Sequence, residues 1–394
     1  MNKIYMDHAA TTYVKDAVMD AMQPFFKQRF GNPSSVYESG REAKASIEAA
    51  RGTIAGLLGA RNKNEIFFTS GGTESNNWAI KGTALAAGRG KHIVTTQIEH
   101  HAVLNPCEYL EKHGYEVTYL APDRYGMISP AQVSEAIRED TVLVSVMYAN
   151  NEVGTVNPVA EIGRAAHQKG VLFHTDAVQA AGVLPIDVAG MNIDFLSISA
   201  HKFYGPKGIG VLYVRKGVHP ESMLQGGGQE RKQRAGTENV PLIVGMAEAL
   251  QIACKNADRE NQRLVTLRDY MIGEIRSKIP GVHLNGHPYL RLPGNINMTF
   301  ESMDAQSSLI NLDLAGIACS SGSACSSGSV DPSHVLIAMG TDPHFARCAL
   351  RFSLGHCNTQ EEADAVVDEL IRISKRLRTE TDLFARKKEA PKNV

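Results

Sequence analysis

Lys202 sits in Ser199-Ala200-His201-Lys202-Phe203-Tyr204-Gly205-Pro206-Lys207-Gly208, directly after an apolar run. A solvated lysine amine has a pKa of about 10.4, so it becomes a nucleophile only where burial or a nearby cation favours the neutral form. Lys202 therefore reads either as such an amine or as a surface residue whose stem snorkels over apolar neighbours. The GPKG beside it lacks the spacing and the trailing Ser/Thr of a Walker loop. Asp176 also ends an apolar run, VLFHT, where a carboxylate needs a compensating partner. It reads as the N-cap of the following AVQAAG segment or as the partner of a protonated ring nitrogen.

Ser70-Gly71-Gly72-Thr73 at a helix start offers bare backbone N–H groups and the positive end of a dipole, which suits phosphate; an ordinary capping turn has the same look. His100 reads as a core histidine or, with His101 and Cys107, as a metal ligand; no third and fourth ligand follows at metal-binding spacing, so no intrinsic metal is expected. In Ala349-Leu350-Arg351-Phe352-Ser353-Leu354, strand alternation separates Leu350, Phe352 and Leu354 from Ala349, Arg351 and Ser353. A guanidinium among small side chains can clamp a carboxylate, or form a plain salt bridge. Cys325 lies within SSGSACSSGS, a composition that builds no core. With five to six residues on each side at about 3.3 Å each, such a loop could carry a thiol through roughly 20 Å. The alternative is an exposed thiol without a role.

The elements that must position these groups follow from the apolar pattern. Strands are expected at Glu65–Thr69, His92–Thr96, Glu116–Leu120, Thr141–Met147, Val171–Thr175, Asp194–Ser199 and Ile209–Val214, with helical patterns at Thr73–Ala87, Ala102–His113 and Val159–Lys169 between them. That alternation predicts an α/β fold with a mostly parallel seven-stranded sheet. Ligands of such sheets sit beyond the carboxyl ends of the strands. Five strand ends here carry polar groups: Ser70–Glu74, Glu99–His101, Asn150 and Asn151, Asp176 and Gln179, and His201 with Lys202. A long helix from Pro241 to Lys278 changes the rhythm; a strand at Asn295–Phe300, a helix at Ala305–Ala315, a strand at Ala349–Leu354 and a helix from Thr359 to about Lys375 read as a smaller α+β unit. The expected division is residues 16–255 for the large domain, and 1–15 plus 256–394 for the small one, whose cysteine loop spans about 318–331. The tail after Leu383 is expected to fray.

With 41 Lys+Arg against 42 Asp+Glu, the net charge of −1 leaves no electrostatic footprint for nucleic acid or an anionic membrane. Six cysteines without a CxxC pair fit a reducing compartment, and MNKIYMDHAATT has no apolar signal-peptide core. No apolar run reaches the length of a membrane span. A cytoplasmic location is expected.

Taken together, YMDHAATT (5–12), FGNPSS (30–35), TSGGTESNN (69–77), EHHAV (99–103), NNEVG (150–154), HTDAVQ (174–179), SAHKFYGPKGIG (199–210), GGGQERKQRAGTEN (226–239), SSGSAC (320–325) and RFSLG (351–355) resemble the class-V aminotransferases. More narrowly, the chain is similar to the cysteine desulfurases of iron–sulfur assembly and nitrogen fixation. The resemblance implies fold type I and pyridoxal 5'-phosphate as cofactor, joined to Lys202. It places His100 on the ring, Asp176 at the pyridine N–H, Gln179 at the ring oxygen and Asn151 close by. The phosphate would be held by Gly72, Thr73, Ser199 and His201, with Thr237 from the other subunit of a homodimer. Asn32 and Arg351 would fix the substrate carboxylate.

The implied reaction converts L-cysteine to L-alanine. Lys202 acts as base at Cα, Cys325 attacks the substrate sulfur, and His100 is the acid/base candidate for the sulfur step. A persulfide on Cys325 would pass to an acceptor protein, an iron–sulfur scaffold or a tRNA-thiolation enzyme, and Cys325 could transiently ligate a cluster on such a scaffold. Rival readings are an aminotransferase or selenocysteine lyase of the same family, or a non-catalytic assembly scaffold. Cys319, six residues before Cys325, reads as a persulfide trap, a disulfide partner or a buried strand-end thiol. Gly355-His356-Cys357 faintly resembles the cysteine motif of a second desulfurase subgroup, but lies too near Arg351 to take its place.

Overall fold

The computed structural model describes residues 3–88, 90–301, 303–321 and 332–389, with side chains as far as 377. Cys325 lies outside the described residues. Seven strands form the large sheet: β1 (Ile66–Thr69), β2 (His92–Thr96), β3 (Glu116–Leu120), β4 (Thr141–Ser145), β5 (Leu172–Asp176), β6 (Phe195–Ser199) and β7 (Gly210–Val214). Their order is β1-β7-β6-β5-β4-β2-β3. β7 is antiparallel to both neighbours and every other pair is parallel. The polar groups after β2, β4, β5 and β6 consequently emerge at one edge, as the strand-end argument expects.

Around this sheet run α1 (Glu38–Leu57), α2 (Gly72–Asn77), α3 (His101–Glu111), α4 (Val159–Gln168) and α5 (Val240–Lys278). Alternation along the strands divides the core in two. Phe68, Val94, Leu196 and Val211 pack with Ile47 and Ile54 of α1, Ile162 of α4 and Met246 and Leu250 of α5. Phe195, Ile93 and Leu212 point the other way, onto Trp78 and onto Val103, Cys107 and Leu110 of α3. The expected helix over Thr73–Ala87 is interrupted: after α2 the chain makes a π-helical stretch at Trp78–Gly82, where the Trp78 indole donates to the Glu221 carbonyl at 3.0 Å.

The second sheet contains β8 (Val282–Leu284), β9 (Asn295–Phe300), β10 (Ser320–Ser321) and β11 (Ala349–Ser353), ordered β10-β11-β9-β8 with every pair antiparallel. Its core joins Met298, Phe300, Leu350 and Phe352 to Leu312 of α6 (Ala305–Leu314), to Val366 and Leu370 of α7 (Gln360–Glu389), and to Leu264, Met271 and Ile275 of α5. The 39-residue α5 thus belongs to both cores. α7 runs through Glu389 rather than ending near 375, because Gln360–Glu389 contains neither proline nor glycine. The chain start joins this unit: Ile4–Tyr5 pairs with Ile317–Ala318, and Asp7 bridges to Ser353.

One buried ion pair holds the segment beside the site. Glu230, Arg231 and Lys232 have φ of 39°, 57° and 66°, a left-handed run that costs about 1–3 kcal/mol per residue. It is over-determined by Glu230, whose buried carboxylate takes Arg51 Nη1 at 2.8 Å, Arg51 Nη2 at 2.6 Å and the Phe68 N–H at 3.1 Å. Arg51→Met leaves that carboxylate buried without its cation. Denaturant unfolding is expected to show a loss of about 3–5 kcal/mol; a loss below about 1 kcal/mol would mean that the pair does not hold the segment.

Candidate active site

Asp176 closes β5 and is buried, with 6% of its surface exposed. Oδ1 accepts the Val178 N–H at 2.9 Å, the capping reading, while Oδ2 accepts Asn76 Nδ2 at 2.6 Å. Asn76 belongs to α2, so this bond ties the end of β5 to the helix that opens with Gly72 and Thr73. Two glycines make that approach possible. Gly71 has φ of 155° and ψ of −178°, a region essentially confined to glycine, and a Cβ on Gly72 would stand 2.6 Å from Val178 Cγ2. Ser199, buried at the end of β6, lies against the same turn.

Lys202 ends a short 3₁₀ turn, Ala200–Lys202, directly after β6. Its amine donates to the carbonyls of Ala9 at 2.6 Å and Ala10 at 2.8 Å. Gln179 Nε2 donates to the same Ala9 carbonyl at 3.0 Å. His201 Nδ1 meets Thr11 Oγ1 at 3.1 Å, and its backbone carbonyl accepts both the Thr12 N–H and hydroxyl at 2.9 Å. Burial, with the Lys202 and Lys207 charges, depresses His201 to about 4. The ring is neutral at pH 7. A crevice between the two sheets opens here, lined by His8, Gln179, Lys202, Tyr204, Ser353 and His356 among others.

His100 caps α3: its Nδ1 accepts the Ala102 N–H at 3.0 Å. The ring proton therefore sits on Nε2. Burial lowers its pKa, with Lys202 and His101 pushing the same way and Asp176 opposing them. Arg351 is 3% exposed; Nη1 donates to the Asn151 carbonyl at 2.7 Å and Nη2 to Asp7 Oδ1 at 2.9 Å. The salt-bridge reading of Arg351 is thus realised in part, but its buried Nε has no partner among the described residues. The apolar side of β11 faces the core as alternation requires.

Asn32 and Thr237 are exposed, and the recorded bond of the Asn32 side chain is local, to the Ser34 N–H at 2.9 Å. Within this single chain they are not brought to the Lys202 turn by any described contact. Cys319 is a partly buried free thiol between Ile317–Ala318 and β10, with desolvation pushing it up to about 12. Cys357 is exposed, its sulfur 3.8 Å from His8 Nε2. Sequence reasoning missed Asn76, Asp7 and the Ala9 and Ala10 carbonyls as parts of the site. All four lie in stretches quoted for the resemblance, which was the available signal.

The family model for Aminotransferase class-V matches residues 4–366. This chain belongs to the class-V aminotransferases. Among curated relatives of this class-V chain, "Cysteine desulfurase IscS" of Methanosarcina thermophila is 53% identical over 381 residues, covering 96% of the chain and 94% of the relative. A solved "NIFS-LIKE PROTEIN" superposes with a TM-score of 0.89 at 38% identity, covering 96% of this chain and all of that one. A structure titled "SspA in complex with cysteine" is 40% identical with a TM-score of 0.80, covering 90% of this chain and 99% of that one. The fold type expected from the resemblance is the one these neighbours share.

Next to His100, Glu99 is fully buried; its Oε1 accepts the Thr96 hydroxyl and the Met147 N–H, both at 2.9 Å, and Oε2 has no partner among the described residues. Burial, reinforced by the Asp176 charge, raises this carboxyl to about 8. Between its unfolded value of about 4.3 and that value the folded chain keeps a proton that the unfolded chain has released, so this contribution to stability is lost as pH rises. Glu99→Gln keeps the acceptor and removes the titration. Relative to the parent its stability should rise by up to about 1.4 kcal/mol per pH unit between about pH 5 and 8. Urea unfolding across that range checks it, and parallel pH profiles would contradict it.

Proposed function

We propose that this chain is a cysteine desulfurase that converts L-cysteine to L-alanine and carries the sulfur as a persulfide on Cys325. One observation carries the reading: 53% identity to a curated cysteine desulfurase over 96% of the chain. The site chemistry agrees with it.

Pyridoxal 5'-phosphate is the proposed cofactor, and three features fit it. The Gly71–Gly72 turn leaves no space for a Cβ at Gly72, so its backbone can lie close to a phosphate. Asp176 is a buried carboxylate held in one orientation by Asn76. Lys202 presents an amine at a strand end, where it donates to two backbone carbonyls. In this reading Lys202 carries the cofactor covalently and His100 stacks on its ring. Asp176 faces the pyridine N–H, Gln179 the ring oxygen, and Asn151 lies close. Gly72, Thr73, Ser199 and His201 hold the phosphate, with Thr237 of a second copy in a homodimer. When bound, the cofactor supplies an electron-poor ring able to hold the electron pair released at the substrate carbons.

The chain's own groups do the rest. Arg351, with Asn32, binds the substrate carboxylate, the unpartnered Nε offering a donor. Lys202 Nζ takes the proton from the substrate Cα. His100 keeps its proton on Nε2 while Nδ1 caps α3, so it serves the sulfur step as a hydrogen-bond donor and takes a second proton only when the cap bond opens. The Cys325 thiolate forms an S–S bond with the substrate sulfur as the Cβ–S bond breaks. The electron pair stays with carbon, where protonation yields alanine. The balance is cysteine plus enzyme thiol to alanine plus enzyme persulfide.

Acceptor proteins, an iron–sulfur scaffold or a tRNA-thiolation enzyme, then take the sulfur in the cytoplasm. Among the described residues no helix is long and apolar enough to cross a membrane.

Alanine and sulfide released from cysteine under a thiol reductant test the reading. The parent chain should release both, and Cys325→Ala should be slower by about 10²-fold or more. Cysteine turnover by Cys325→Ala at the parental rate would instead favour an aminotransferase-like reaction.

A further inference from the structure

His334 opens a short helix, His334–Ala338, on the far side of the site from Lys202's strand, and nothing in the proposed reaction uses it. Its Nε2 donates to the carbonyl of Glu99 at 3.0 Å, one residue before His100. Its ring lies 4.9 Å, centroid to centroid, from that of His101, one residue after His100. One imidazole therefore grips both chain neighbours of the same cap residue. We infer that His334 is a positioning residue for His100, clasping the Glu99–His101 turn so that the His100 ring is held in a single orientation over the Lys202 site. The inference rests on the reading of His100 given above.

The clasp is itself anchored. Ser333 caps the short helix through the Leu336 N–H at 3.2 Å and donates its hydroxyl to Glu152 Oε2. Glu152 Oε1 stands 3.9 Å from His334 Nδ1. The Glu152 carbonyl takes Asn295 Nδ2 at 3.0 Å and Asn297 Nδ2 at 3.1 Å, which fixes the Asn151–Glu152 turn whose Asn151 carbonyl holds Arg351. Ser333–His334 thus joins the turn after β2, which presents His100, to the turn after β4, which supports Arg351. Ile98, Val153, Val335, Leu336 and Ala349 form the apolar cluster beneath.

The charged and titratable groups facing the clasp come from each of these elements: Glu99, His100 and His101 after β2, Glu152 after β4, Asp176 after β5, Lys202 after β6, and Arg351 on β11. Burial raises Glu152 to about 7, against the Ser333 hydroxyl and the Arg351 charge. Burial lowers His334, with His101 and His100 adding to it and the Glu99 carbonyl opposing. The donor that grips Glu99 is consequently present in the neutral ring, on Nε2.

The test compares His334→Ala with His334→Gln, whose amide nitrogen reaches about as far as Nε2 and can donate to the same carbonyl. Three readouts are taken: the kcat and KM of the holoenzyme for cysteine, its visible circular dichroism, and the His100 ring titration by NMR in the cofactor-free chain. His334→Ala should lower kcat about ten- to a hundredfold with KM changed less than about twofold. It should also alter the visible dichroism and move the His100 titration up towards about 6.5, the value of a solvated ring. His334→Gln should restore all three. Parental kcat, dichroism and titration in His334→Ala would overturn the clasp, as would equal impairment of the two variants. His100→Ala separates the failures: if it too behaves as the parent, the reading of His100 falls and the clasp with it; if it is impaired while His334→Ala is not, the clasp alone falls.

Discussion

The hydrogen bonds from the Lys202 amine to the carbonyls of Ala9 and Ala10 are the interaction on which the arrangement of the site depends. They join the end of β6, in the large sheet, to a turn that belongs to the small one. The same turn sends Asp7 to Arg351 at 2.9 Å, takes Ser353 Oγ on the Ala9 N–H at 2.9 Å, and inserts Thr12 against the His201 carbonyl. A short N-terminal stretch therefore sets the distance between an amine from one sheet and a guanidinium from the other. No element of either sheet alone could do so.

Burial has opposite consequences for the groups around that tether. His8 and His201 are held near 4 and stay neutral, whereas Glu99 and Glu152 are raised to about 8 and about 7. Desolvation is the largest cause in each case, and it favours the uncharged form of acid and base alike. Asp176, also buried, accepts an amide and a backbone N–H, which hold its carboxyl in one orientation.

The strands and most of the named site residues were legible because their signals are local. Runs such as TVLVSVM have the composition of strands buried on both faces, and Asp176, His100 and Lys202 each follow one of them. What was not legible depends on contacts between distant segments. Asn76 reaches Asp176 across 100 residues of chain, and Lys202 reaches Ala9 across 193. Side-chain spacing carries no trace of either. α1 is a different kind of omission: Ala43, Ile47, Ala50 and Ile54 show a helical period that could have been read, and all four are buried. The break after α2 and the extension of α7 to Glu389 are boundary effects, set by one tryptophan's tertiary bond and by the lack of a helix breaker.

The claim that unites these features is that the Lys202 amine, positioned by the Ala9–Ala10 turn, is the covalent anchor of the cofactor. Borohydride reduction of the purified protein followed by peptide mass spectrometry tests it most directly. The account predicts a pyridoxyl group on the peptide containing Lys202 and on no other lysine. Reduction that leaves Lys202 unmodified, or that places the group on a different lysine, would contradict it.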